Sequence, residues 1–97
     1  MAVKLLPLAE DDVLQALTYI GADNPDAADR LYRQMLDAME RAGQFPYAAE
    51  EIVVGSRRPR RYYRLSVPPY HLYYRILGED VLIMRVLHQR MDAAARL

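Results

Sequence analysis

The sequence predicts an α+β fold in which a helical hairpin packs on an antiparallel sheet, with the element order β-α-α-β-β-β. Two consecutive segments in the first half carry apolar residues at helical spacing, and the second half contains apolar runs and alternations of strand length. Proline and glycine lie where these segments meet. Because 97 residues suit a single core, we expect one domain spanning residues 1–97.

The chain opens with a short apolar run at residues 3–6, which Pro7 stops, as expected of a strand at the edge or end of a sheet. The spacing becomes helical from Leu8, and residues 21–24 end this first helix. Its apolar face is formed by Ala9, Val13, Ala16 or Leu17, and Ile20.

A second helix follows at once, because Asn24-Pro25 is typical of an N-cap followed by proline at the first helical position. Gly43 is placed to end this helix. The two helices are therefore expected to be antiparallel, with a tight connection. The apolar stripe of the second helix is Ala28, Leu31, Tyr32, Met35, Met39 and Ala42.

The second half predicts a three-strand meander at residues 62–67, 70–77 and 81–87. The middle strand alternates, with Tyr70, Leu72, Tyr74 and Ile76 on one face, and the last is apolar on both faces apart from Arg85, as in an interior strand. Residues 78–80 form a hairpin turn. Residues 52–54 suit a short additional strand, and residues 91–97 a last helical turn or a loose tail.

Composition bounds the classes of function. A hydrophobic fraction of 53% with 27% charged residues describes a folded domain. The absence of cysteine excludes disulfides and thiolate metal sites, and no phosphate loop, metal-ligand spacing or nucleophile motif is present, so we expect no cofactor and no metal. No signal sequence or membrane-spanning run is found, which leads us to expect a cytoplasmic protein.

The net charge of zero conceals an acidic and a basic half. Residues 1–51 contain four Lys/Arg and ten Asp/Glu, whereas residues 52–97 contain nine arginines and three acids. One interpretation is that two faces serve different partners, and the other is that the halves neutralise each other across the fold. The candidate binding residues are eight of these nine arginines: Arg57, Arg58, Arg60, Arg61, Arg64, Arg75, Arg85 and Arg90.

These arginines form two groups. The first five are interleaved with Tyr62 and Tyr63, a pattern that suits contacts with phosphates and bases or a solvated loop that leads into a strand. If Arg75 and Arg85 share a sheet face, they and Arg90 form a patch for phosphate or an acidic peptide; alternatively each pairs with an acid of the helices.

Several local motifs resemble the ParE/RelE toxins of bacterial toxin–antitoxin systems. Residues 24–30 (NPDAADR) resemble the NPxAAxR start of the second helix in ParE-like chains, and Phe45-Pro46 matches the pair that follows it. Residues 73–76 (YYRI) resemble the penultimate strand, and residues 83–92 the closing "I-x-R-V-L-H-Q-x-M-D". The resemblance spans nearly the whole chain.

This resemblance implies a toxin that poisons DNA gyrase by binding, neutralised by a ParD-like antitoxin, with two toxins joining two antitoxins. The alternative is a RelE-like nuclease that cleaves messenger RNA on the ribosome with His71, Arg75, His88 and Arg90. RNA cleavage needs an acid, a base and groups that stabilise the phosphate.

Three departures favour the ParE-like function. Lys4 is the only lysine, no tyrosine follows Tyr74, and His71 replaces the arginine of the nuclease pattern Y-R-L-x-Y. Each histidine also has a structural interpretation: His88 bonds to the backbone at the end of a strand, and His71 lies on an exposed sheet face. A third possibility is a chain that keeps the fold but is no longer toxic.

Overall fold

The computed structural model describes residues 1–97 and contains a five-stranded sheet with two long helices on one face. The strand order is β1-β5-β4-β3-β2. The predicted class and element order are confirmed, and the short strand predicted at 52–54 is present. The elements are β1 Ala2–Leu5, α1 Pro7–Asp23, α2 Pro25–Gln44, β2 Glu50–Val54, β3 Arg60–Val67, β4 Tyr70–Leu77, β5 Asp80–His88 and α3 Ala93–Arg96.

The sheet is mixed, which corrects the expectation of an antiparallel sheet. Strands β2 to β5 form an antiparallel meander, but β1 pairs in parallel with β5, with Leu5 opposite Ile83. The meander starts with β2 at one edge of the sheet, and β1 forms the other edge, beside β5 and in the same direction. Strand β5 is therefore interior, as its apolar sequence predicts.

The helical hairpin is joined by a single residue, Asn24. Its side-chain Oδ1 accepts a hydrogen bond from Ala27 N at 3.0 Å, and Pro25 is the first residue of α2. Gly43 does not end α2, which continues to Gln44. The glycine instead permits close approach of β1, because an added Cβ would lie 2.8 Å from Val3 Cγ2.

The core lies between the hairpin and the sheet and contains fifteen buried apolar residues. Leu72 and Tyr74 of β4 belong to it, as the alternation predicts. The Tyr74 hydroxyl donates to Pro46 O at 2.6 Å, so this buried polar group has a hydrogen-bond partner. None of the helices is long and apolar enough to span a membrane.

The sheet face opposite the hairpin, here called the open face, is also partly buried. Tyr62, Tyr73 and Leu87 are buried but lie outside the core cluster, because they alternate with Tyr63, Tyr74 and Val86 along their strands. The segment that includes α3 lies across one end of the open face, where Leu97 contacts Tyr62.

Candidate functional site

A β-bulge in β5 positions Arg85. Tyr73 lies opposite Arg85, and Tyr74 lies opposite Ile83, so Met84 has no partner on β4. A bulge bends its strand and changes the direction of the side chains beside it. Here the Arg85 guanidinium meets the Asp12 carboxylate of α1 in a forked pair, with Nε 2.8 Å from Oδ2 and Nη2 2.9 Å from Oδ1.

This ion pair is nearly enclosed. The side chains of Arg85 and Asp12 are 16% and 10% exposed, and Asp12 Oδ2 also accepts the Val86 backbone N–H at 3.0 Å. The hydrogen bonds to Asp12 raise the pKa of Arg85 above its usual value. Its remaining nitrogen, Nη1, donates to Arg96 O at 3.2 Å. Arg85 therefore joins α1, β5 and the α3 region.

Three side chains of the open face lie around the C-terminal end of the α3 region. Arg60 Nη2 donates to Leu97 O at 2.8 Å, and the Tyr62 hydroxyl donates to the same oxygen at 3.3 Å. Arg75 lies over the Tyr62 ring, with its guanidinium carbon 5.6 Å from the ring centroid. The Tyr62 ring thus contacts the Arg75 guanidinium by a cation–π interaction, and the Tyr62 hydroxyl donates a hydrogen bond to the backbone of Leu97.

A second polar group on the open face is centred on Arg64. Its Nη2 lies 2.6 Å from Glu50 Oε2 on β2, and this bond raises the pKa of Arg64. On β4, the Tyr73 hydroxyl lies 3.4 Å from His71 Nδ1. Burial lowers the pKa of His71, and the charge of Arg64 lowers it further, so the imidazole is neutral at pH 7.

The remaining arginines of the β2–β3 hairpin differ in how they are paired. Arg61 Nε lies 2.8 Å from Glu51 Oε1 across the hairpin. Arg57 and Arg58 lie in the connecting loop, are exposed, and form no ion pair or side-chain hydrogen bond. The tip of this hairpin therefore presents two unpaired guanidinium groups.

His88 lies at the end of β5, where its Nδ1 accepts the Arg90 backbone N–H at 3.1 Å. Its ring meets Tyr70 edge to face, with 5.4 Å between centroids. This geometry agrees with the structural interpretation of His88, because the bonded Nδ1 places the imidazole proton on Nε2 when the ring is neutral. The Arg90 side chain is exposed and forms no ion pair.

The structure does not bring the four candidate nuclease residues together. His71 lies opposite Leu87, and His88 lies opposite Tyr70, so the two histidines are on opposite faces of the sheet. Arg75 and Arg85 do not form one patch either, since Arg75 stacks on Tyr62 and Arg85 is committed to Asp12.

Two grooves meet at α3. The larger, of about 510 Å³, lies between α1 and the end of β5, and the smaller, of about 310 Å³, lies beside Tyr62 and Met84. Leu8, Arg85 and Arg96 line both grooves, so α3 separates two parts of one surface. We call these two parts together the α3 groove.

Sequence reasoning missed three components of this region. The sequence patterns single out neither Asp12 nor Glu50, and they predict a last helical turn or a loose tail at residues 91–97 without indicating what it contacts. One signal was available, since Arg85 is the only charge in an otherwise apolar interior strand and a buried cation requires a partner. The choice of Asp12 over Asp11 depends on the tertiary structure.

Comparison with known proteins agrees with this architecture. A profile of the ParE toxin of the type II toxin–antitoxin system parDE matches residues 3–93. Toxin ParE1 of Mycobacterium tuberculosis is 38% identical over 71 residues, covering 69% of this chain and 66% of that protein. Toxin ParE3 of Caulobacter vibrioides is 53% identical over 32 residues, covering 33% of this chain and 32% of that protein. The matched region thus spans just under two thirds of the ParE1 relative.

A solved structure described as a chromosomal ParDE toxin–antitoxin system from P. aeruginosa superposes with a TM-score of 0.73. The superposition covers 91% of this chain and 95% of that one at 17% identity, so it establishes the shared fold.

The fold is a small α+β domain in which the four candidate nuclease residues do not meet at one place. Because the profile covers nearly all of it, the chain belongs to the ParE toxin family of type II toxin–antitoxin systems.

Proposed function

We propose that this protein acts by binding: it inhibits DNA gyrase in the cytoplasm, and a cognate ParD-like antitoxin neutralises it. The observation that carries the proposal is the match of residues 3–93 to the ParE toxin profile. The mechanism is non-catalytic. Surface contacts trap gyrase on cleaved DNA and inhibit growth, and antitoxin binding withholds those contacts from gyrase.

The geometry supports binding over RNA cleavage. Phosphodiester cleavage requires an acid and a base on either side of one phosphate. His71 and His88 lie on opposite faces of the sheet, and two of the arginines in these strands are paired with acids, Arg64 with Glu50 and Arg85 with Asp12. A RelE-like nuclease remains the alternative that the experiment must distinguish, because the neutral His71 on the open face has the protonation state of a general base.

The deciding experiment is to induce the protein alone in its host and follow DNA and messenger RNA in parallel. Gyrase inhibition predicts DNA breaks, a DNA-damage response and filamentous cells with intact transcripts. With purified components, the protein should inhibit supercoiling by gyrase and accumulate cleaved DNA. Rapid transcript cleavage in the ribosomal A-site with undamaged DNA would instead establish the nuclease. Harmless accumulation of folded protein would point to a chain that is no longer toxic.

We further propose that the unpaired guanidinium groups at the hairpin tip contact the target. In a variant carrying Arg57→Gln and Arg58→Gln, gyrase inhibition should weaken about tenfold or more, since hydrogen bonds to charged groups are worth about 1.5–3 kcal/mol each. The melting temperature should not change, because neither side chain has an intramolecular partner. Arg30→Gln removes an exposed arginine from α2 and is the matched control. Equal inhibition by both variants would exclude the tip as a contact.

The antitoxin is proposed to place an acidic tail against the arginines, in an assembly of two toxins and two antitoxins. Arg75→Glu tests the contact, since Arg75 forms no ion pair whose loss would unfold the chain. The variant should bind antitoxin at least tenfold more weakly, because an attractive charge becomes repulsive. Undiminished affinity would remove Arg75 from the contact. The mass of the complex in solution tests the stoichiometry.

A further inference from the structure

Strand β2 forms an open edge of the sheet. It is the last strand in the order β1-β5-β4-β3-β2 and pairs only with β3. In an antiparallel pair, the N–H and C=O groups of alternate residues point away from the neighbouring strand. In β2 these outward groups form no hydrogen bond with the rest of the chain. The edge is therefore a row of free donors and acceptors onto which another strand can pair.

The opposite edge of the sheet is protected, whereas the β2 edge is not. Strand β1 has four residues, and Pro7 follows it closely and has no N–H to donate to a further strand. Lys4 places a charge on that edge, where it pairs with Asp80. Strand β2 contains neither proline nor lysine, and its Val53 side chain is 59% exposed.

Two acidic residues begin β2, but arginines of β3 already neutralise them. Arg64 donates to Oε2 of Glu50 through both Nε and Nη2, and Arg61 Nε lies 2.8 Å from Oε1 of Glu51. Each carboxylate thus keeps one oxygen without a partner, Oε1 of Glu50 and Oε2 of Glu51. The two side chains are 60% and 46% exposed, so a guanidinium from outside the chain can reach these oxygens.

The two ends of the β2 edge differ in charge. The acids lie at its start, and the unpaired Arg57 and Arg58 lie just beyond its end, at the hairpin tip. An antiparallel partner strand of the same sequence reverses this order, so the tip of each copy meets the carboxylates of the other. A parallel partner would place acid beside acid and arginine beside arginine. The edge is thus complementary to itself about a two-fold axis.

We propose that β2 pairs with β2 of a second copy of this chain, in antiparallel orientation, and joins the two five-stranded sheets into one. In the register that places Val53 opposite Val53, Ile52 lies opposite Val54, so apolar residues meet at the axis and charged groups meet at the two ends. This pairing goes beyond the proposed function and does not depend on it. Because it covers the hairpin tip, the dimer and the proposed gyrase complex exclude each other.

A disulfide test measures both the partner and the register. Because the sequence contains no cysteine, Val53→Cys introduces one thiol per chain. Facing residues of an antiparallel pair have Cα atoms about 4.5–5.5 Å apart, within the range of a disulfide. The oxidised variant should therefore form a covalent dimer even in dilute solution. Leu77→Cys on β4 is the matched control, because Leu77 is also apolar and 66% exposed, and it should stay monomeric. Equal cross-linking of the two variants would overturn the pairing.

The dissociation constant of the dimer, from sedimentation equilibrium of the full chain, is the second measurement. Val53→Lys should raise this constant about tenfold, because like charges then face each other at the axis. Leu77→Lys should leave it unchanged. Both positions are exposed, and thermal melts of the two variants check that each monomer is folded. A chain that remains monomeric at every concentration contradicts the proposal.

Charge complementarity between the copies is tested at the hairpin tip. Arg57→Glu with Arg58→Glu places acids against the carboxylates of the other copy and should raise the dissociation constant about tenfold or more. Arg30→Glu with Arg90→Glu makes the same change of charge at exposed arginines outside β2 and its tip, and is the control. Equal weakening by the two double variants would exclude the tip from the interface.

Hydrogen exchange distinguishes a different occupant of the same edge. Protection of the outward β2 amides should rise with the concentration of the chain alone. If these amides become protected only after the antitoxin is added, the edge belongs to the antitoxin and the proposed dimer is wrong. None of the dimer measurements contains gyrase, and Val53→Lys keeps Arg57 and Arg58. Failure of dimerisation and failure of gyrase inhibition are therefore distinguishable.

Discussion

Gly43 shows how a single hydrogen in place of a side chain permits two elements to meet. An added Cβ would lie 2.8 Å from Val3 Cγ2 and 3.0 Å from Met1 O, where the N-terminal amine also donates to Gly43 O at 2.8 Å. Gly43→Ala should therefore lower the free energy of unfolding by about 1–3 kcal/mol, as overpacking usually does. Chemical denaturation measures the loss.

Gly21 is the matched control, because it also lies inside a helix but its added Cβ would come only to 3.4 Å from Ala28 Cβ. Gly21→Ala should be neutral or stabilise the protein by up to ~1 kcal/mol through helix propensity. If both alanine variants lose the same stability, the contact with β1 is not the reason that position 43 is glycine.

The ionisation of Tyr74 should lower the stability of the fold at high pH. Burial raises the pKa of Tyr74 to about 12 from an ordinary value of 10.0. Below pH 10 the phenol is protonated in both states; between pH 10 and 12 only the unfolded chain releases the proton. The stability contributed by Tyr74 is thus complete below pH 10 and is lost as the pH rises to 12, by about 3 kcal/mol at 1.36 kcal/mol per pKa unit.

Unfolding measured from pH 9 to pH 12 tests this expectation. Tyr74→Phe removes the ionisable group and should flatten that part of the pH dependence, although it also costs the hydrogen bond to Pro46 O at every pH. An equally steep decline in the variant would assign the alkaline limit to other groups.

Between elements, the Asp12–Arg85 ion pair fixes α1 against the bulge of β5. Removing one partner of a buried pair leaves an uncompensated charge and typically costs about 3–5 kcal/mol. Asp12→Ala should fall near the lower end, about 3 kcal/mol, because solvent can reach part of the Arg85 side chain. The free energy of unfolding from denaturant titration is the appropriate measurement.

Asp11→Ala is the control for that substitution, since Asp11 precedes Asp12 on the same helix and is exposed without an ion pair. It should change stability by no more than about 0.5 kcal/mol. Replacing both partners, Asp12→Leu with Arg85→Met, should recover part of the loss, because no charge is then left buried. A double variant as unstable as Asp12→Ala would contradict this account.

At the scale of the whole molecule, the acidic and basic halves do meet across the fold. Four of the five ion pairs join residues 1–51 to residues 52–97, among them Asp12–Arg85, Glu50–Arg64 and Glu51–Arg61. Arg57, Arg58, Arg60, Arg75, Arg90 and Arg96 take no part in them. Neutralisation between the two halves therefore accounts for the paired residues, and the unpaired arginines are those that the proposed partners would contact.

A partner that binds only the folded state should stabilise this small domain substantially. With free antitoxin at 100 times its dissociation constant, the gain is about 2.7 kcal/mol. For a domain of this length, that corresponds to a rise in melting temperature of roughly 10–20 °C. The measurement is a thermal melt with the product of an antitoxin-sized neighbouring gene. Arg75→Glu should reduce the shift; a candidate that produces no shift is not the cognate partner.

The elements were predictable because they depend on short-range patterns. The Asn24-Pro25 cap, the helical stripes and the alternation in β4 are set by neighbours within a few residues. The parallel pairing of β1 was not predictable, because it depends on the position and direction that β5 has at the end of the meander. The role of Gly43 was also missed, because the residue that requires a glycine there, Val3, is forty positions away in the chain.

Family membership followed from the sequence for the same reason, because the motifs at residues 24–30 and 83–92 are contiguous. The α+β class and the helical hairpin were likewise determined by the sequence alone. Only the tertiary structure decided which arginines are available. Arg85 and Arg75 are the same residue type. In the structure, Arg85 is enclosed with Asp12, whereas Arg75 lies over the Tyr62 ring and forms no ion pair. The physical reason is that the groups around a charged side chain determine whether it is paired or available, and those groups come from distant parts of the chain.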